Sequence, residues 1–201
     1  VSSAASDVYK RQVSNALQPA VNVSKLVAWR HALHRCPELG FELSETAGYI
    51  ERQLRELGIE THSEIGQVGL VGVLRKGDSN RAIGLRADMD ALKIQELNTF
   101  EYRSKTEGHM HACGHDAHTA SMLGALKILH KTKDHWRGTI KFIFQPAEER
   151  LPGGAKQMIE EGVLENPNVQ HVIAQHVLPE LEVGKVGFRC GTYMASTDEL
   201  Y

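Results

Sequence analysis

TIKFIFQPAEE, residues 139–149, joins a run of β-branched and aromatic residues to a proline and two adjacent carboxylates. Thr139–Phe144 reads as a buried strand: it is rich in β-branched and aromatic residues and too short for a helix of its own. Pro146 has no N–H for a ladder, so pairing stops at Gln145. Glu148 and Glu149 then fall at the strand's carboxyl end. Neighbouring side chains of an extended segment point opposite ways, which would let the two carboxylates take different roles. One can ligate a cation while the other accepts a proton from water. An isolated Glu-Glu pair would be read as a solvated acidic loop. Its place after a buried strand, in a chain with a Cys/His cluster, favours chemistry.

Outward from this strand, Gly69–Arg75 and Arg81–Ala87 form two further β-like runs, and KGDSN (76–80) between them has the composition of a hairpin turn. Val169–Gln175 reads as another strand. Val23–Leu33, a segment beginning at Ser44, His115–His130 and Gly154–Gly162 carry helical patterns. Ser44 is the expected N-cap of the second helix, and Gly58 suits its left-handed stop. Strands alternating with helices predict an α/β layered domain with a largely parallel central sheet. In such sheets ligands gather at the carboxyl ends of strands. Asp88, Gln145–Glu149 and His176 each follow a strand.

HMHACGHDAH, residues 109–118, holds the richest set of metal-binding side chains. If extended, His109, His111, Cys113 and His115 point the same way. If a helix starts at His115, then His115 and His118 share a face. Spacing leaves both ligand sets open. Gly114 permits a tight turn that brings Cys113 and His115 to one ion. Cys, His and carboxylate together form a ligand set for Zn or Mn. Asp88 could orient a ligating imidazole from behind; Asp90 reads as a turn former. His31, His34, His62, His130, His135 and His171 lack companion ligands and read as surface or packing residues.

The 201 residues, 41% hydrophobic and 24% charged, suit one sizeable globular domain or a large part of one. A net charge of −2 with interspersed signs argues against a nucleic-acid partner. No apolar run is long enough to span a membrane. Three widely spaced cysteines without a CxxC pair support neither a zinc finger nor a disulfide scaffold, and predict a reducing, cytoplasmic setting. Residues 1–20 are expected to be non-native or disordered, and residues 21–201 to carry the domain.

RADMDAL, HACGHDAHTA, FQPAEE, GGAKQMIEEG and AQHVLPELEVG, in that order, resemble the metallo-amidohydrolases that include hippurate hydrolase, N-acyl-amino-acid deacylases and auxin-conjugate hydrolases. WRHALHRCPELGFELSETA resembles the N-terminal helix and loop of the same group. The resemblance implies a three-layer α/β/α zinc-exopeptidase-like catalytic domain with two divalent ions, Zn or Mn. It implies Cys113 as the bridging thiolate, His115 and His176 on one ion, Glu149 on the other and Glu148 as general base, with Asp88 behind His115. His109, His111 and His118 become flanking residues. A further ligand His and a lid or dimerisation domain of the family have no match here. The chain is therefore expected to be the N-terminal part of a longer, homodimeric enzyme that hydrolyses N-acyl amino acids, and to be inactive alone. A dipeptidase or carboxypeptidase on the same metals, a cysteine hydrolase using Cys113, and a fragment with weak or no metal binding are the alternatives.

Overall fold

The computed structural model describes residues 22–192. Residues 1–20 and the MASTDELY segment (194–201) lie outside the described residues. The elements in chain order are α1 (Val23–His34), α2 (Ser44–Glu56), β1 (Glu60–Ile65), β2 (Gly69–Lys76), β3 (Ala82–Asp88), α3 (His115–Lys131), β4 (Gly138–Gln145), α4 (Gly154–Glu160) and β5 (His171–Ala174).

Every residue of β4 is buried, which a strand achieves only in the middle of a covered sheet. The sheet order is β1-β2-β4-β3-β5. β4, β3 and β5 run parallel, while β2 lies antiparallel to both β4 and β1, giving a mixed sheet with a parallel half. Alternation along β4 sends its side chains to opposite faces. Ile140, Phe142 and Phe144 join Leu70 and Leu74 of β2 under Trp29, Ile50, Leu54, Leu123 and Leu126 from α1, α2 and α3. Ile143 joins Val71 and Val73 on the other face, under Met158 of α4 and Val163. Helices thus cover both faces, as an α/β/α layered domain requires. Lys141 also faces the α4 side, where its buried ammonium donates to the carbonyls of Val163 and Glu165.

Two local expectations are corrected, and one strand is added. KGDSN does not close a hairpin, because β4 is inserted between β2 and β3 and pairs with both along their length. A parallel neighbour for β3 arriving through α3 outcompetes the local turn. Ser44 does not cap α2; the Glu38 carboxylate accepts from the N–H groups of Glu45 and Thr46 at 3.2 and 2.7 Å, supplying negative charge where the helix dipole favours it. β1 was not foreseen, since ETHSEI is a mostly exposed edge strand without apolar alternation. Gly58 does take the left-handed stop, at φ 68°. No helix among the described residues is long and apolar enough to cross a membrane.

His34, expected to be a packing or surface residue, is instead a buried ion-pair hub. Its Nδ1 lies 2.8 Å from Asp116 Oδ2 at the start of α3, and its Nε2 lies 3.1 Å from Glu96 in the loop after β3. Arg30 donates to the same Asp116 oxygen. The hydrogen bond to Asp116, outweighing burial, raises the His34 pKa above 6.5. Burial would push Asp116 and Glu96 up, but their hydrogen bonds, including those from His34, bring both below the ordinary carboxylate range. The histidine's contribution is therefore complete below pH 6.5 and is lost as pH rises through its raised value. The carboxylates' contribution is lost as pH falls through their depressed values. His34→Gln is expected to cost about 3–5 kcal/mol, because two buried carboxylates lose their cation. Denaturant midpoints should show the gap from wild type at its widest near pH 6 and narrowing as pH rises.

Candidate metal centre

Because β3, β4 and β5 are parallel, their carboxyl ends open on one edge of the sheet, and three chain segments leave there together. β3 delivers Asp88 and Asp90, β4 delivers Glu148 and Glu149, and β5 delivers His176. Cys113 and His115 come from the start of α3. Gly114 makes that corner at φ 93°, the turn expected of the Cys-Gly-His triplet. A side chain there would be strained and would also collide with the Val177 side chain.

Among the described residues three sets of donor atoms form within this cluster, each with its members within 4.8 Å of one another: Cys113, His115 and His176; His115, Glu148 and Glu149; and Asp88, His115 and His118. His115 is common to all. Its ring is 1% exposed, and its Nδ1–H donates to the Asp90 carbonyl at 2.7 Å, leaving the Nε2 lone pair free. Among the described residues that nitrogen has no hydrogen-bond partner, nor does the buried Oε1 of Glu149. Around Nε2 stand Asp88 Oδ2 at 3.7 Å, Glu149 Oε1 at 3.6 Å and Glu148 Oε2 at 3.8 Å. A buried lone pair ringed by carboxylate oxygens just beyond hydrogen-bond reach fits a cation, and the thiol and imidazoles beside it fit a borderline ion such as Zn. Cys113 Sγ and His176 Nε2 are 3.3 Å apart, and His176 Nδ1 is satisfied by the Val177 carbonyl at 2.7 Å, so its Nε2 also faces the cluster.

The electrostatics point the same way. Burial, then the hydrogen bond to Glu149 and the charges of Glu149 and Glu148, push the Cys113 thiol up to about 12. Burial and Glu149 raise Glu148. Burial would lower His115, but Asp90, Asp88 and Glu149 overturn it and raise it. Three groups of different chemistry hold their protons more tightly than usual, and bringing in positive charge would reverse each of these biases. Asp88 is the exception. Burial raises it, but the hydrogen bond from His118 and the charges of His115 and Arg86 win, leaving it at about 2.

Of the side chains singled out from sequence, Cys113, His115, His176, Glu148 and Glu149 come together. His109 and His111 stand in none of the three donor sets; His111 is buried with neither ring nitrogen bonded. Glu148 and Glu149 do not point apart as an extended segment would have them. Ala147 sits at φ 47°, held by its N–H to the Gly40 carbonyl and its C=O to the Gly154 N–H, and the turn swings both carboxylates toward His115. Such a conformation costs a non-glycine residue roughly 1–3 kcal/mol. Asp90 holds the far side of that turn. Its fully buried carboxylate accepts from the N–H groups of Glu148 and Glu149 at 2.9 and 3.1 Å, more than the turn-forming role expected of it. Asp88 is not the group behind His115: its Oδ1 takes the Nδ1–H of His118 at 2.7 Å, while Arg86 secures Oδ2. No signal in the sequence identified Asp90, because backbone amides leave no mark in composition.

Residues 84–198 match the model of peptidase family M20/M25/M40. The chain is 48% identical to the hippurate hydrolase of Campylobacter jejuni over 84% of its own length and 43% of that protein. It is 44% identical to an N-acyl-L-amino acid amidohydrolase of Geobacillus stearothermophilus, over 88% of this chain and 47% of that one. The chain therefore spans less than half the length of these curated relatives. The crystal structure of the Bacillus subtilis YXEP protein, described as a dinuclear metal-binding peptidase of the M20 family, superposes with a TM-score of 0.78 at 40% identity, covering 83% of this chain and 46% of that one.

A thiol pushed to about 12 is a poor nucleophile at neutral pH. In metal-free protein, iodoacetamide should modify the exposed Cys190 far faster than Cys113 at pH 8, and the Cys113 rate should keep climbing beyond pH 9. Peptide mapping by mass spectrometry reads both sites. Rapid Cys113 alkylation that levels off near pH 7 would instead indicate a cysteine nucleophile.

Proposed function

The chain belongs to peptidase family M20/M25/M40, and from that premise we propose that its site, in the whole protein, hydrolyses the amide bond of N-acyl amino acids with two divalent cations, Zn or Mn. The relatives named above support the substrate class. The observation that carries the reading is the unpartnered, buried Nε2 of His115 facing three carboxylate oxygens.

Cys113 would bridge the ions as a thiolate, His115 and His176 would serve one of them, and Glu149 the other. Bound divalent cations supply Lewis acidity, polarising the acyl carbonyl and bringing the pKa of water down toward neutrality. Glu148 is the general base. Its side chain is 40% exposed at the mouth of the cluster, within reach of both water and substrate. Its raised pKa makes it a better proton acceptor than an ordinary carboxylate. The proton it takes from the attacking water is returned to the amide nitrogen, so the C–N bond breaks to a carboxylic acid and a neutral amine. The Asp90 carboxylate keeps Glu148 and Glu149 in register during this cycle by gripping their amides. The three free cysteines are in keeping with a reducing, cytoplasmic setting.

Glu148→Gln preserves size and leaves the proposed ligands untouched. In the full-length protein, assayed on benzoyl-glycine, turnover should fall about 10²- to 10⁴-fold, the usual worth of a general base. Metal content by elemental analysis should stay at the wild-type value. Wild-type turnover in this variant would remove Glu148 from the role, and lost metal would recast it as a ligand.

A further inference from the structure

His176 has an exposed position for a residue assigned to a metal. β5, which delivers it, is exposed throughout and among the described residues pairs only with β3, and the segment that follows is irregular and largely exposed. A buried side chain, His118, grips its backbone. His118, 1% exposed and one turn into α3 from His115, accepts the Val177 N–H on its Nε2 at 3.0 Å. Its Nδ1–H is committed to Asp88 Oδ1 at 2.7 Å. Accepting on one nitrogen while donating from the other fixes the neutral, Nδ1-protonated tautomer. Asp88 is itself anchored, by Arg86 at 2.6 Å and by the Thr119 hydroxyl on its carbonyl at 2.9 Å. The His118 ring packs edge-on against the His176 ring, with centroids 4.6 Å apart at 68°. The missing Cβ of Gly114 opens the space in which Val177 sits.

We propose that His118 is a positioning residue for His176: held by Asp88, it grips the backbone amide of Val177 and so fixes where the preceding imidazole presents its Nε2. This rests on His176 being a metal ligand, as proposed above. His118 cannot ligate in this arrangement, because both its nitrogens are engaged. It ties the exposed edge of the sheet to the same helix that carries His115.

Two substitutions separate the grip on Val177 from the bond to Asp88. His118→Gln can place an amide oxygen where Nε2 accepts, keeping Val177 while giving up Asp88. His118→Asn can place an amide N–H where Nδ1 donates, keeping Asp88 but falling short of Val177. In the full-length protein, zinc affinity by chelator competition and hydrogen exchange at the Val177 amide are measured for wild type and both variants. The Asn variant should bind zinc about 10- to 100-fold more weakly, the usual effect of losing a group that orients a ligand, and should lose Val177 protection. The Gln variant should keep both near wild type. The opposite order, or equal losses of affinity with Val177 still protected, overturns the proposal and leaves a packing or Asp88-pairing role. If the Asn variant does not fold, a folded Gln variant that loses Val177 protection overturns it by itself, and one that retains protection and affinity upholds it. Wild-type protein that takes up no zinc overturns the reading of the site and this proposal together.

Discussion

One buried nitrogen, His115 Nε2, sets the terms for the structure around it. Its tautomer is fixed from behind by the Asp90 carbonyl, its lone pair has no partner, and carboxylates from two strand ends crowd it without bonding to it. Leaving a buried polar atom unpaired costs on the order of 1–3 kcal/mol, and gathering like charges around it adds to that cost. A folded chain sustains such a cluster where something elsewhere over-determines it. Here the support comes from Asp90, whose carboxylate and carbonyl hold the Glu148-Glu149 turn and His115 at once, and from the all-buried strand that feeds that turn.

The sheet explains how residues more than sixty positions apart reach one point. Inserting β4 beside β3 aligns two parallel carboxyl ends, and β5 adds a third. The left-handed residues, Gly114 before α3 and Ala147 after β4, then bend the emerging chain back over the edge. Behind this, the His34 ion pairs join α1, α3 and the loop after β3, so the helix that starts with His115 is clamped on the side away from the site. The contrast with His176 is informative. It follows an exposed edge strand instead of a buried one, and Cys113 and His118 meet it and the residue after it there.

How much of this was legible in the sequence depended on the range of the interaction. The runs that became β2, β3 and β4, and the stripes of α1 to α3, announce themselves because burial demands apolar side chains, nearly continuous in covered strands and striped in helices. The insertion of β4 between β2 and β3 does not. Sequence proximity and a turn-like KGDSN favour a hairpin, and only the competition for a parallel neighbour decides otherwise. Cys113, His115, Glu148, Glu149 and His176 were selected by residue type and by an ordered set of motifs. Their convergence required the fold. Asp90 and His118 were passed over because their work is done on the backbone amides of Glu148, Glu149 and Val177, and an amide is the same at every position. His34 was passed over for a related reason: its partners, Glu96 and Asp116, lie 62 and 82 residues away.

The most direct test is anomalous diffraction at the zinc edge from crystals of the full-length protein grown with zinc. A zinc peak is expected at about 2.3 Å from the sulfur of Cys113 and at about 2.0–2.1 Å from ring nitrogens of His115 and His176, the bond lengths zinc imposes. A second peak should lie on Glu149. Zinc peaks remote from Cys113, or none at saturating metal with His115 Nε2 still unpartnered, would contradict this assignment.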